Sequence, residues 1–192
     1  EVSRQIKEYN IGGICFFQGS PESQIALVNR FQSEAQTPLL ISQDAEWGPA
    51  MRFRDHCVSF PKQMTLGAIT NDSLIYEMGA SIAQQLKSIG VNVSFSPVVD
   101  INNNPMNPVI NYRSFGESKE NVARKGIMYM KGLQDNNILA IAKHFPGHGD
   151  TDTDSHYDLP VISHTYSHVD SVELYPFKEL IKAGVSGIMN AH

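Results

Sequence analysis

The chain has 192 residues, of which 41% are hydrophobic and 18% charged, with 14 Gly and 10 Pro. This is enough apolar content for a sizeable core and too little charge for a disordered chain. A formal net charge of −5 provides no basic patch for a phosphate backbone, and no apolar run approaches the ~20 residues of a membrane span.

The two cysteines, Cys15 and Cys57, lack metal-ligand spacing, so neither a disulfide framework nor a zinc finger is expected. The sequence opens Glu1-Val2-Ser3-Arg4, with no Met and no charged-then-apolar leader, so its natural start is expected to have been removed.

In chain order, short β-rich runs alternate with longer helical patterns. Gly12 to Phe17 reads as a buried strand, and Glu22 to Ala35 as a helix with Ile25, Val28 and Phe31 on one face. After Pro38, Leu39 to Asp44 reads as a second strand that ends on a carboxylate. Asp72 to Ser88 carries Ile75, Met78, Ile82, Leu86 and Ile89 at helical spacing, and Gly90 closes it. A third strand falls within Val91 to Asp100. An Asn- and Pro-rich loop leads to a helix over about Ser118 to Gln134, and Leu139 to His144 is a fourth strand. A Gly/Asp/His loop, a helix over about Ser171 to Ala183 and a last run from Gly187 to His192 complete the chain.

Alternating strands and helices imply right-handed βαβ units and a parallel sheet. A doubly wound sheet usually carries a Gly-rich phosphate turn after its first strand, and Phe17-Gln18-Gly19-Ser20-Pro21 is not one. In a (β/α)8 barrel, reactive residues cluster at the C-terminal ends of several strands. Asp44 and Glu46, Asp100, Lys143 and His144, and His192 have that distribution. About five strands are legible, whereas a barrel has eight in ~250 residues. The expected fold is therefore a partial TIM barrel.

The chemistry concentrates between Lys143 and His156, a stretch with one Lys, three His and three Asp. A Lys-His pair ending a buried strand must face a cleft or be buried at a cost. Asp150, Asp152 and Asp154 imitate the start of a calcium loop, but Ser155 stands where that loop needs Gly and Val161 where it needs Glu. His148, His156 and Asp154 lack the helical His-Glu-x-x-His context of zinc. No metal and no cofactor is expected. The productive pairing is Asp154 with His156, since a nearby carboxylate orients an imidazole and favours its protonated form, making a general acid/base.

Lys143-His144-Phe145-Pro146-Gly147-His148-Gly149, followed by Asp154-Ser155-His156, resembles glycoside hydrolase family 3, in its β-N-acetylhexosaminidase branch. The likeness extends over Gly12 to Ile14, Asp44 to Gly48 with Arg52-Phe53, Phe95 to Asp100, Asn107 to Gly116, Ala183 to Val185 and Met189 to His192. Residues 1–192 would then be a fragment of one family 3 barrel domain, lacking its first and its C-terminal strands.

The resemblance implies a retaining exo-β-N-acetylglucosaminidase acting on cell-wall or related glycans. It assigns His156 as acid/base with Asp154 orienting it, and Asp44, Arg113, Lys143 and His144 as ligands of the terminal sugar. Simpler roles are a turn or N-cap for Asp44 and an ion pair with Asp100 or Glu117 for Arg113. The expected partners are a carbohydrate substrate and the remainder of the parent chain.

Trp47 replaces the first Gly of the family's Asp-x-Glu-Gly-Gly turn, and Pro49 stands where the family often has Arg. The family's nucleophilic Asp lies on a later strand, so residues 1–192 alone are expected to be inactive. The alternatives are a family 3 β-glucosidase, an N-acetylglucosaminide phosphorylase, and a sugar-binding module without catalysis.

Overall fold

The computed structural model describes residues 1–54, 56–150 and 164–190. Among these, five parallel strands form one sheet: β1 (Gly13–Cys15), β2 (Leu40–Gln43), β3 (Val93–Ser94), β4 (Leu139–Phe145) and β5 (Gly187–Asn190). Their spatial order is their chain order. A doubly wound sheet reverses direction at a switch point, and none occurs here. The strands form part of a (β/α) barrel, as expected.

The helices in chain order are α1 (Val2–Tyr9), α2 (Pro21–Glu34), α3 (Gln63–Gly67), α4 (Ser73–Ser88), α5 (Lys119–Gln134), α6 (Tyr166–Ser171) and α7 (Leu174–Lys182). Local signals explain the longer ones. Ser20 caps α2 by accepting from the Ser23 N–H at 3.2 Å, with Pro21 at the first helical position, and Ser118 caps α5 by accepting from the Asn121 N–H. The buried stripe of α2 is Gln24, Val28 and Phe31, whereas Ile25, expected inside, is partly exposed. Gln24 takes the inner place because its side chain is satisfied there. It donates to the Ile89 carbonyl and accepts from the Gln43 amide.

The third strand is shorter than the run that suggested it. Pro97 has no N–H for the ladder, and pairing resumes only as a bridge between Val98 and Lys143. The last expected helix is preceded by α6, and α1 and α3 are further helices beyond those expected.

The core lies between the sheet and its outer helices, where Ile41, Ala140 and Ala142 meet Ile82, Leu86, Tyr129, Leu133 and Phe177. Two-residue periodicity puts Leu139 and Ile141 on the face of Lys143, and Leu40 and Ser42 on that of Asp44. That concave face is less filled. Leu40 is 51% exposed and Leu139 43%, whereas Ala140 and Ala142 are fully buried.

Candidate active site

The site sits beyond the C-terminal ends of the strands, in a cleft of about 650 Å³, within the ~300–1,000 Å³ range of small-molecule sites. Its floor is the turn that leaves β2. The Tyr129 hydroxyl, brought by α5, lies 3.0 and 3.1 Å from the Ala45 and Glu46 carbonyl oxygens, and the Gln63 amide donates to the latter at 2.6 Å. Held this way, the turn places Asp44 and Glu46 side by side under Lys143 of β4.

Lys143 Nζ lies 2.7 Å from Asp44 Oδ1 and 2.9 Å from Glu46 Oε1. Arg113 grips Glu46 with two donors, Nε to Oε2 at 2.9 Å and Nη2 to Oε1 at 2.7 Å. Arg52 Nη2 donates to Asp44 Oδ2 at 2.7 Å. Glu46 and Lys143 are buried, whereas Asp44, Arg52 and Arg113 stay about one fifth exposed above them. Burial pushes the Glu46 carboxyl up, but Lys143 and Arg113 outweigh it and hold the group at about 2. The buried ion pairs make a rigid base, because bidentate Arg–carboxylate geometry fixes both partners.

His144 occupies a register irregularity between Lys143 and Phe145, where β4 pairs with β5. Such bulges re-aim a side chain. Its Nδ1 is 2.7 Å from Asp100 Oδ2. Burial raises the Asp100 carboxyl, but the His144 ring and the backbone N–H groups of His144 and His148 outweigh that and lower it. An ionised carboxylate only accepts, so Nδ1 carries the proton, and Nε2 lies 3.4 Å from Arg113 Nη2. The His148 N–H also donates to Asp100 Oδ1, at 2.7 Å. Asp100 therefore fixes both His144 and the path of the following loop.

All four sugar ligands expected from the sequence, Asp44, Arg113, Lys143 and His144, line this cleft. Arg113 pairs with Glu46 rather than with Asp100 or Glu117, because Asp100 is already committed to His144. The acid/base pair Asp154 and His156 lies outside the described residues, as do Asp152 and Val161. On either side of that stretch, Asp150 and His164 are hydrogen-bonded to each other. Among the described residues no group of three or more His, Cys, Asp or Glu side chains is arranged to hold a metal ion.

Glu46, Asp100 and Arg52 hold the site together, yet the sequence singled out none of them as a ligand. The available signal was their place at strand ends. The expected departures take definite form. Trp47 lines the cleft, and Pro49 opens a 3-10 turn, Pro49–Met51, that delivers Arg52 to Asp44. The array alternates donors with acceptors and balances its charges, which suits a neutral polyhydroxylated ligand rather than an ion.

The model of the glycosyl hydrolase family 3 N terminal domain matches residues 1–192. The chain belongs to this family. It is 40% identical over 205 residues to beta-hexosaminidase A of Pseudoalteromonas piscicida, covering 100% of this chain and 34% of that protein. Among solved structures, it resembles a family 3 beta-N-acetylglucosaminidase from Paenibacillus sp. str. FPU-7, with a TM-score of 0.94 and 42% identity over 99% of this chain and 38% of that one. NagZ from Neisseria gonorrhoeae in complex with N-trifluoroacetyl-D-glucosamine gives 0.91 and 29% over 99% of this chain and 59% of that one. This family 3 chain thus spans between a third and three fifths of the length of these relatives.

Proposed function

We propose that this family 3 chain is the N-terminal part of the barrel of a retaining exo-β-N-acetylglucosaminidase. The enzyme removes terminal GlcNAc from cell-wall or related glycans. The observation that carries the reading is the charge-balanced ring of Asp44, Lys143, Glu46 and Arg113 at the strand ends. Ionic partners fix every polar group in it, so its remaining lone pairs and N–H bonds meet sugar hydroxyls without reorganising. The names of the relatives favour the N-acetylglucosaminide class.

In this reading Asp44, Arg113, Lys143 and His144 seat the terminal sugar. His156, oriented by Asp154, protonates the glycosidic oxygen as its bond to C1 breaks. The carboxylate of an Asp on a later strand bonds to C1, and His156 then takes the proton of the water that releases the sugar. The exposed apolar residues on the concave face, Leu40 and Leu139, favour completion of the barrel by further strands.

The test offers the complete enzyme an aryl N-acetyl-β-glucosaminide and the matching β-glucoside, with and without phosphate. Preferential release of free GlcNAc is expected. Preference for the glucoside, phosphate-dependent sugar-1-phosphate, or binding without turnover would each overturn the proposal.

A further inference from the structure

Glu173 is a buried carboxyl that the sugar ligands do not touch. It stands at the start of α7, is 1% exposed, and its side chain makes no cap hydrogen bond to that helix. Its Oε1 accepts from Asn103 Nδ2 at 2.7 Å, and among the described residues its Oε2 has no hydrogen-bond partner. Buried polar atoms are normally satisfied, so neither its helix nor a full set of hydrogen bonds accounts for its place. What it touches does.

Two loops of the site meet at this side chain. Asn103 belongs to the loop that follows β3 and carries Asp100. Gly147 belongs to the loop that follows β4, and its N–H donates to the His144 carbonyl at 2.8 Å. Gly147 has a φ of 132°, and a Cβ there would lie 2.9 Å from both Cβ and Oε2 of Glu173. The β4 loop thus runs against Glu173 with no room for a side chain between them. A Cβ on Gly149 would lie 1.7 Å from the Ile101 carbonyl oxygen, so the two loops also press on each other. One turn along α7, the Phe177 ring meets the Phe145 ring edge-on, with 5.5 Å between centres. α7 therefore backs the β4 loop at two points, and at Glu173 it also holds the β3 loop.

The two loops share the contact between Asp100 and His144. Asp100 Oδ2 lies 2.7 Å from His144 Nδ1, and Asp100 Oδ1 accepts from the N–H of His148, the residue after Gly147. A slip of one loop past the other would open both contacts. We propose that Glu173 is a positioning residue for the reaction: it clips the loop after β3 to the loop after β4 and so holds Asp100 on His144. It acts through His144 and touches no substrate itself. This rests on the glycosidase reading above, in which His144 seats the terminal sugar. Burial pushes the Glu173 carboxyl up, and the Asp150 and Asp100 carboxylates add to this, against Asn103 and His164. An uncharged amide of the same shape is therefore its close substitute.

The test uses the complete enzyme and an aryl N-acetyl-β-glucosaminide. Glu173→Ala should lower kcat/KM roughly 10–100-fold, the scale of a displaced binding group. Asn103→Ala, at an exposed loop position, should lower it in the same direction, and it carries the test if Glu173→Ala does not fold. Glu173→Gln keeps the shape and an oxygen for Asn103, so it should stay near the parent. Residues that act through one contact are not additive, so Asn103→Ala should cost little more once His144→Ala is in place. The His144 Nδ1 proton, assigned by NMR from its absence in His144→Ala, reports the contact with Asp100 without turnover. It should shift in Asn103→Ala and stay in Glu173→Gln. An unmoved proton in Asn103→Ala, a full additional loss on top of His144→Ala, or Glu173→Gln as impaired as Glu173→Ala would overturn the clip. A shifted proton in an enzyme that hydrolyses no N-acetyl-glucosaminide would support the clip and overturn the glycosidase reading.

Discussion

Glu46 is worth most attention at the scale of single residues, because one buried carboxylate holds the floor of the cleft. Its carboxyl is depressed from 4.5 to about 2 by Lys143 and Arg113, against the effect of burial. A depressed folded-state value means that the group stabilises the fold above its unfolded value and that this stabilisation is lost as pH falls from about 4.5 towards 2. The difference corresponds to a contribution on the order of 3 kcal/mol. Thermal melts from pH 6 to pH 2 should show this loss, and Glu46→Gln should start less stable and flatten the slope. An unchanged slope in that variant would remove Glu46 from the explanation.

Acid catalysis makes a second expectation at this scale. His156→Ala should slow substrates with poor leaving groups by roughly 10²–10⁴, and an activated aryl glycoside much less, because its phenolate scarcely needs a proton. Equal losses on both would point to binding instead. The family resemblance marked Asp44, Lys143, His144 and Arg113 for the site, and the first three also stand at or just after strand ends, whereas Arg113 lies on a 3-10 turn, Asn111–Arg113, remote from any strand end in sequence. Glu46 was not legible, because its role depends on Arg113, 67 residues away.

Close packing dominates at the scale of elements. Gly132 of α5 sits where α4 crosses, and a Cβ there would lie 2.3 Å from the Tyr76 carbonyl oxygen and 2.8 Å from the Ala80 nitrogen. Both contacts are backbone, so neither can rotate away. Gly132→Ala gains up to ~1 kcal/mol of helix propensity, but the overlap forces the helices apart at a cost of typically 1–3 kcal/mol. Denaturant unfolding should therefore show net destabilisation, and a stabilised variant would contradict this packing. The loop at Gly149 is tighter still, since its Cβ would fall 1.7 Å from the Ile101 carbonyl oxygen.

The long elements were legible because their signals are local. The spacing in α4 and the cap residues of α2 and α5 do not depend on distant chain. α3 has only five residues, too few for a periodicity to show. The third strand was overextended because its apolar run continues through Pro97 to Val99, while its ladder does not.

At the scale of the whole molecule, strand order equals chain order and every described strand is parallel to its neighbour. Among the described residues β1 and β5 each have one strand neighbour, and the concave face exposes Leu40 and Leu139. Unpaired edges and an unfilled interior both favour association. If the chain is part of a longer barrel, residues 1–192 alone should self-associate on size exclusion and lack turnover. A stable monomer would contradict the reading of the open edges. Alternation of strands and helices made the barrel class legible, but its extent was not, because closure depends on strands that pairing alone identifies.

The central claim, a retaining glycosidase with a covalent intermediate, is tested most directly by following product anomers by NMR as the complete enzyme hydrolyses an N-acetyl-β-glucosaminide. Two successive displacements at C1 predict that β-GlcNAc appears first and mutarotates later. Initial appearance of the α-anomer would contradict the account.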